Sequence, residues 1–231
     1  MGGLLMEKLK LIDFNDWIKV DDSYGSGASE KIILQDTNTG KKGIFKFPKK
    51  HSNGEITGEY WAESLAYEIA TIIEIPCAKI DMGIYRGRRG SMSYIFLKQD
   101  DVLIEGVHFI SAKYPNYNRD ILKDEDVDLW YSIEMVRNSI SSIFFNDFLE
   151  ILIFDALIGN SDRHHSNWGI SLMKKDHISM LSNLYDNGSS LCCTITDDKI
   201  NMKDKNWCNA ITNTKSKSLI RIRNEKRKPT Q

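Results

Sequence analysis

Short apolar runs separated by turn residues dominate the first hundred positions of the chain. Each run has the length and composition of a strand, so the pattern predicts two antiparallel hairpins. The predicted strands are residues 31–36 and 43–47, followed by residues 79–85 and 91–97, with residues 86–90 as the second turn. Alternation along the second strand directs Ile44 and Lys46 to one face and Phe45 and Phe47 to the other.

Apolar residues at three- and four-residue spacing predict helices elsewhere. Residues 59–73 form the first predicted helix, with Trp61, Leu65, Ile69 and Ile72 at this spacing and Pro76 after its end. Residues 124–140 and 146–158 follow the same rule. The last helix is apolar nearly all round, which predicts that it is buried, and Gly159 is a natural stop.

A final hairpin is predicted for residues 168–173 and 178–184. The chain therefore has a β-rich first half, residues 1–100, and a more helical second half, residues 101–231. A short polar stretch near residues 98–102 joins them. The predicted class is α+β, with two lobes in the manner of a protein kinase.

Composition sets limits on the function. The chain has 231 residues, 41% of them hydrophobic, which suffices for a sizeable core. A formal charge of −1 gives no general field for nucleic acid or an anionic membrane. The longest apolar segment, residues 148–158, is too short to span a membrane, and we expect a soluble cytoplasmic protein. The four cysteines lack the spacing of a zinc site.

A cluster of polar residues after the last predicted helix has the layout of a phosphoryl-transfer loop. Asp162 and Asn167 are five residues apart, as are the catalytic Asp and the metal-binding Asn of protein kinases. Asp186 follows as a second candidate metal ligand. Each residue alone is more typical of an ordinary turn, but their order and spacing predict a base at Asp162 and magnesium at Asn167 and Asp186.

Candidates for the nucleotide site lie mainly upstream. Small residues before the first hairpin let backbone N–H groups approach phosphate, although such loops are common. They are Gly25, Ser26, Gly27, Ala28 and Ser29. Lys46, in mid-strand, suits a phosphate partner, and a solvent-facing lysine is the alternative. An acid on the first helix would hold this lysine, and Glu59 and Glu63 both qualify.

Further nucleotide candidates are the joining residues Leu97, Lys98 and Gln99, together with His164. The adjacent His164 and His165 have no matching ligand spacing. A structural role for His164 beneath the loop is therefore favoured over metal ligation.

These residues resemble the HipA-like serine/threonine kinases over roughly residues 23–190. Gly27-Ala28-Ser29-Glu30-Lys31 is similar to that family's G-A-x-E-K loop, and Lys46-Phe47-Pro48 resembles its K-[FY]-P strand. Gly58-Glu59-Tyr60 is similar to its N-E-x motif, which favours Glu59 as the lysine partner. Residues 158–167 and 185–190 resemble its catalytic loop and metal-binding segment.

The resemblance implies ATP- and magnesium-dependent phosphorylation of a protein hydroxyl. Lys46 would contact phosphate and Glu59 would hold Lys46, while Asp162 would act on the hydroxyl. It also implies two features that some members show: a toxin role with an antitoxin-like partner, and autophosphorylation of a loop serine, here Ser26 or Ser29.

Two departures keep alternatives open. The chain begins almost at the kinase core, as in shorter relatives. Only about 45 residues follow Asp186, where the family has a larger helical lobe. The basic run at residues 221–228 is expected to be a solvated tail. A truncated second lobe would favour a nucleotide-binding pseudokinase. The Asp162-Arg163-His164 and Asn167 pattern also fits phosphatidylinositol-type lipid kinases, and a metal-dependent nuclease is a more distant alternative.

Overall fold

The computed structural model describes residues 10–20, 30–120, 129–195 and 219–224. These residues form two compact units. The first contains residues 10–20, 30–96 and 185–195, and the second contains residues 97–120, 129–184 and 219–224. The predicted α+β class is confirmed. Residues 185–195 belong with the first unit, although the sequence assigned them to the second half.

A six-stranded sheet in the order β1-β5-β6-β4-β3-β2 forms the frame of the first unit. β1 pairs in parallel with β5, and the other neighbours are antiparallel. Both predicted hairpins are present. The second hairpin turns through only Arg86 and Gly87, whose positive φ angles of 48° and 73° are typical of tight two-residue turns. The strands are β1 (Ile12–Asp13), β2 (Ile18–Val20), β3 (Lys31–Gln35), β4 (Lys42–Lys46), β5 (Ile80–Tyr85) and β6 (Arg88–Tyr94).

The two faces of this sheet have different partners. One face carries a buried, largely aromatic cluster that includes Phe14, Phe45 and Phe47. The other face packs against helix α1 (Glu59–Ile72), and Lys46 points to this side, where it bonds to the helix residue Glu63. The predicted alternation along β4 is therefore confirmed.

Small residues allow α1 to approach the sheet closely. Ala62, Ala66 and Ala70 are fully buried on the helix. Ile72, which belongs to the apolar pattern that predicted the helix, is 64% exposed. The periodicity therefore located the helix without identifying its buried face.

The second unit combines a small antiparallel sheet with three described helices. Strand order is β7-β8-β9, and the β8–β9 hairpin was predicted, whereas β7 and α2 were not. The elements are β7 (Val102–Glu105), β8 (Gly169–Met173), β9 (Ile178–Leu181), α2 (Gly106–Lys113), α3 (Ile133–Ser139) and α4 (Ser142–Ile158).

Capping residues explain why two helices differ from their predicted bounds. The Ser132 side chain accepts a hydrogen bond from Met135 N at 3.2 Å, so α3 begins after it, and residues 129–131 are not helical. Residues 124–128 of the predicted helix lie outside the described residues. Ser141 caps α4 in the same way, which starts this helix four residues earlier than predicted.

The expectation that the helix over residues 146–158 is buried holds for one side of the helix only. Phe148 and Phe154 are fully buried, but Ile153 is 70% exposed and Leu157 is 63% exposed. None of the described helices is long and apolar enough to cross a membrane.

Residues 219–224 are anchored to the second unit. Arg221 is buried, its N–H donates to the Tyr131 carbonyl at 2.9 Å, and its guanidinium lies 4.3 Å from the centre of the Trp130 ring. The Ile133 N–H in turn donates to the Arg221 carbonyl at 2.7 Å. The expected solvated tail is therefore wrong at its start, while residues 225–228 lie outside the described residues.

Candidate active site

Lys46 lies at the centre of the candidate site in the first unit. The β4–β6 register sets it directly opposite Ser91, and both residues face α1. Its ammonium group bonds to Glu63 Oε1 at 3.0 Å and to Asp186 Oδ1 at 2.9 Å. Lys46 and Asp186, which are 140 positions apart in the sequence, are therefore in direct contact.

Two opposing effects act on the charge of Lys46. Burial alone would lower its pKa, but the carboxylates of Glu63 and Asp186 outweigh burial and raise the pKa above its usual value. Lys46 therefore stays cationic at neutral pH. A fixed, partly buried cation of this kind is well suited to bind phosphate oxygens.

Glu59 is not the partner of Lys46, and that prediction is wrong. Its carboxylate accepts a hydrogen bond from Lys49 N at 2.9 Å and lies 3.3 Å from Lys49 Nζ. The difference is geometric, because Glu63 is one turn further along α1, on the face that meets the sheet, where only 2% of the residue is exposed. Glu59 instead ties the chain leaving β4 to the start of the helix.

Asp186 adopts an uncommon backbone conformation. Its φ of 58° lies in the left-handed region, which a non-glycine residue seldom occupies and which is frequent at functional sites. The segment after it is anchored at the start of α1, since Gly58 N donates to the Cys193 carbonyl at 2.7 Å. The Cys193 thiol, whose pKa burial raises to about 11, donates to the Gly188 carbonyl at 3.1 Å.

The predicted phosphate-binding loop lies outside the described residues. It comprises Gly25, Ser26, Gly27, Ala28 and Ser29. The next residue, Glu30, receives two hydrogen bonds from the Arg88 guanidinium, at 2.6 and 2.7 Å. The hydrogen bond from Arg88 also holds the pKa of Glu30 below its usual value. Glu30, the first described residue after these positions, is therefore paired with a residue of β6.

The predicted catalytic loop begins where α4 ends. Gly159 has a φ of 65°, which glycine adopts at low cost, and it stops the helix as predicted. Asp155, in the last turn, is buried and accepts hydrogen bonds from Arg163 Nε at 2.9 Å and Nη2 at 2.8 Å. Asn160 Nδ2 also donates to Asp155, at 2.8 Å.

Arg163 connects the predicted catalytic loop to α4. It is only 1% exposed, and its Nη1 donates to the Asn167 carbonyl at 2.6 Å. The roles of Arg163 and Asp155 were missed from the sequence. A usable signal was present, because Asp155 lies among the apolar residues at the end of the helix, and an acid that is buried there needs a charged partner.

Asp162 and Asn167 are joined through the loop backbone. Asn167 Nδ2 donates to the Asp162 carbonyl at 2.8 Å, and Asn160 Oδ1 accepts from Asp162 N at 3.1 Å. The Asn167 amide nitrogen is thus used as a donor, which leaves its amide oxygen as the group suited to a cation. The residues from Asn160 to Asn167 thus form a closed loop with internal hydrogen bonds.

His165, rather than His164, is the buried structural histidine. Its Nδ1 lies 2.7 Å from the Tyr117 hydroxyl, and burial, together with the neighbouring His164, lowers its pKa to about 4. His164 is half-buried, and its Nδ1 accepts a hydrogen bond from Ser166 N at 3.1 Å. The structural role expected for His164 is therefore corrected to His165, and nucleotide binding by His164 stays a prediction.

Trp168 fixes the far end of the loop. It is 1% exposed, and its indole N–H donates to the Tyr131 hydroxyl at 2.9 Å. Gly106 N donates to the Trp168 carbonyl at 2.9 Å, and a side chain at Gly106 would collide with the indole. The loop is therefore held between α4 and the start of α2.

The joining residues Leu97, Lys98 and Gln99 begin the second unit. Lys98 N donates to Asp101 Oδ2 at 3.1 Å, and Asp101 N donates back to the Lys98 carbonyl at 3.0 Å, which makes a compact turn. Lys98 and Gln99 are exposed. Their role in nucleotide binding stays a prediction.

The elements and the residues around Lys46 define a kinase-like fold. The chain matches the family model described as the HipA-like C-terminal domain over residues 23–228, and it belongs to this family. A crystal structure of the Helicobacter pylori proinflammatory kinase CtkA is similar, with a TM-score of 0.76 and 20% identity over 94% of this chain and 74% of that chain.

HipA of Shewanella oneidensis MR-1, solved with HipB and operator DNA, is a more distant match. Its TM-score is 0.49 at 16% identity, covering 80% of this chain and 48% of that one. No curated protein sequence matches this chain.

The buried pair formed by Asp155 and Arg163 leads to a prediction about stability. Asp155→Asn leaves the Arg163 guanidinium buried beside a neutral amide, so we expect the free energy of unfolding to fall by about 3–5 kcal/mol. Urea denaturation measures this change. Asp147→Asn, on the exposed side of the same helix, is the control. A loss for Asp155→Asn no larger than that of the control would contradict the assigned role of the pair.

His165 leads to a prediction about pH. Its pKa is about 4 in the folded chain against an ordinary value of 6.5, so between these values the unfolded chain binds more protons. We expect the free energy of unfolding to decrease as the pH falls from 6.5 to 4. His165→Gln, which does not titrate, should flatten this slope, whereas the exposed His177→Asn should not. Equal slopes in His165→Gln and the parent would rule out this origin.

Proposed function

We propose that this chain is an ATP- and Mg²⁺-dependent serine/threonine protein kinase of the HipA-like type. The observation that carries the proposal is the Lys46 ammonium held between a buried carboxylate, Glu63, and a half-exposed one, Asp186. This is the lysine–acid arrangement that positions nucleotide phosphates in kinases. Family membership and the kinase-like fold support the same reaction class.

Each proposed role follows from the chemistry of the side chain. Lys46 would bind phosphate oxygens. Asp162 would accept the proton of the attacking hydroxyl and orient that hydroxyl. Ser26 and Ser29, with the neighbouring small residues, would supply backbone N–H groups to phosphate, and Leu97 to Gln99 would contact the nucleotide base.

Asp186 and Asn167 are the proposed Mg²⁺ ligands. A carboxylate and an amide oxygen are hard donors, which Mg²⁺ prefers, and the Asn167 amide nitrogen is already committed to the Asp162 carbonyl. When bound, the ion would neutralise charge on the transferred phosphate. The half-exposed Asp186 carboxylate can exchange its Lys46 contact for such an ion.

Family membership also supports two finer proposals. One is a protein partner of the antitoxin kind, and the other is autophosphorylation of Ser26 or Ser29. A phosphate there adds a charge of about −2 and would repel ATP phosphates. Mass spectrometry after incubation with Mg-ATP tests the second proposal. Substrate transfer without phosphate on either serine would remove it and leave the kinase proposal intact.

Transfer of labelled γ-phosphate from ATP to a panel of proteins and lipids tests the function. Protein labelling by the parent supports the proposal. Lipid labelling alone would favour a lipid kinase. ATP binding without any transfer would favour a pseudokinase.

Asp162→Asn should separate binding from chemistry. The carboxylate acts on the incoming hydroxyl, so we expect kcat to fall by at least about a hundredfold while the Kd for Mg-ATP changes little. Radiolabel transfer and calorimetry measure the two quantities. The exposed Asp176→Asn in the β8–β9 turn serves as the control. An unchanged kcat would remove Asp162 from the mechanism.

Asp186→Asn should weaken the metal dependence of the reaction. Loss of the carboxylate removes a Mg²⁺ ligand, and we expect turnover to fall by about a hundredfold and the gain in ATP affinity on adding Mg²⁺ to shrink. Calorimetry with and without Mg²⁺ measures the second effect. Asp81→Asn, whose carboxylate pairs with Lys79 in the same unit, is the matched control. Parent-like Mg²⁺ dependence would make the metal assignment wrong.

A further inference from the structure

Ser91 is a buried hydroxyl residue with a specific position in the candidate site. It lies on β6 directly opposite Lys46 on β4, and it is 2% exposed. Its hydroxyl donates to Glu63 Oε2 at 2.7 Å. None of the motifs that located the site includes this serine.

The two oxygens of Glu63 have different partners. Oε1 accepts from the Lys46 ammonium at 3.0 Å, and Oε2 accepts from Ser91. A carboxylate that is only 3% exposed must satisfy both oxygens within the protein, because water does not reach them. The Ser91 hydroxyl therefore fixes the rotation of the carboxylate, and this rotation aims Oε1 at Lys46.

The two acids that hold Lys46 differ in exposure. The Glu63 side chain is 3% exposed, whereas that of Asp186 is 48% exposed. Glu63 is accordingly the permanent partner, and Asp186 is the one that solvent and ions can reach. Any group that fixes Glu63 also fixes the lysine when Asp186 engages another partner.

We propose that Ser91 is a positioning residue that holds the Lys46 ammonium in place through Glu63. The proposal rests on the proposed kinase function for its consequence, which is tighter binding of nucleotide phosphates. The positioning itself is a property of the protein without nucleotide. The two can therefore be tested separately.

The primary test follows the Lys46 ammonium signal in ¹⁵N-labelled protein by NMR, with Lys46→Met to assign it. We expect Ser91→Ala to shift and broaden this signal, because Glu63 loses the donor that fixes its rotation. Ser93→Ala is the matched control, since Ser93 is also buried and lies two residues along the same face of β6. Ser91→Thr keeps the hydroxyl and should restore the parent signal.

The second measurement is nucleotide binding. We expect Ser91→Ala to weaken Mg-ATP binding by about tenfold, because a Lys46 side chain that is held less firmly must be ordered when phosphate binds, and Ser93→Ala to leave binding unchanged. A merely structural serine would lower Tm without changing either readout relative to Ser93→Ala.

The outcomes separate the two proposals. A Lys46 signal in Ser91→Ala that matches the Ser93→Ala control would overturn the positioning role, whether or not the parent transfers phosphate. If Ser91→Ala changes the Lys46 signal but the parent binds no ATP, the positioning role is supported and the kinase function is removed. A changed signal with weakened ATP binding supports both.

Discussion

The positive charge of Lys46 on β4 determines which acidic groups the first unit must bring together. The Lys46 ammonium, turned towards α1, has to be met by carboxylates, because burial works against a cation that lacks them. The helix supplies Glu63, and the segment after β9 supplies Asp186. Close packing of the alanine-rich face of α1 brings the first acid into range. The packing of α1 on the sheet therefore also decides which acid of the helix reaches Lys46.

The second unit also pairs a buried cation with a carboxylate, and here the cation is an arginine. Arg163 is buried below the catalytic loop, and Asp155 at the end of α4 meets its guanidinium with two hydrogen bonds. In both units a helix provides the acid, and a strand or loop carrying proposed reactive groups provides the cation. Charge pairing thus connects the rigid helices to the residues from which function is proposed.

Motif spacing predicted much of the site, and packing decided the rest. The motifs picked out Lys46 and Asp186, which are in contact, and Asp162 and Asn167, which are bonded within one loop. The roles proposed for these residues stay predictions. The choice between Glu59 and Glu63 was not recoverable, because it depends on which face of α1 meets the sheet, and that face is built from small residues instead of large apolar ones. Helix α2 was too short for its periodicity to be distinguished. The role of Arg221 depends on backbone pairing with Tyr131, which a basic run does not reveal.

The return of residues 185–195 to the first unit has a consequence for biosynthesis. Lys46 and Asp186 are 140 positions apart, so at ordinary translation rates on the order of ten seconds separate their appearance. During that interval the ribosome-bound chain has β4 and α1 but lacks the last segment of its first unit. The second unit's sheet and loop are translated before the first unit can close. The order of synthesis thereby withholds one carboxylate of the site until nearly all of the described chain exists.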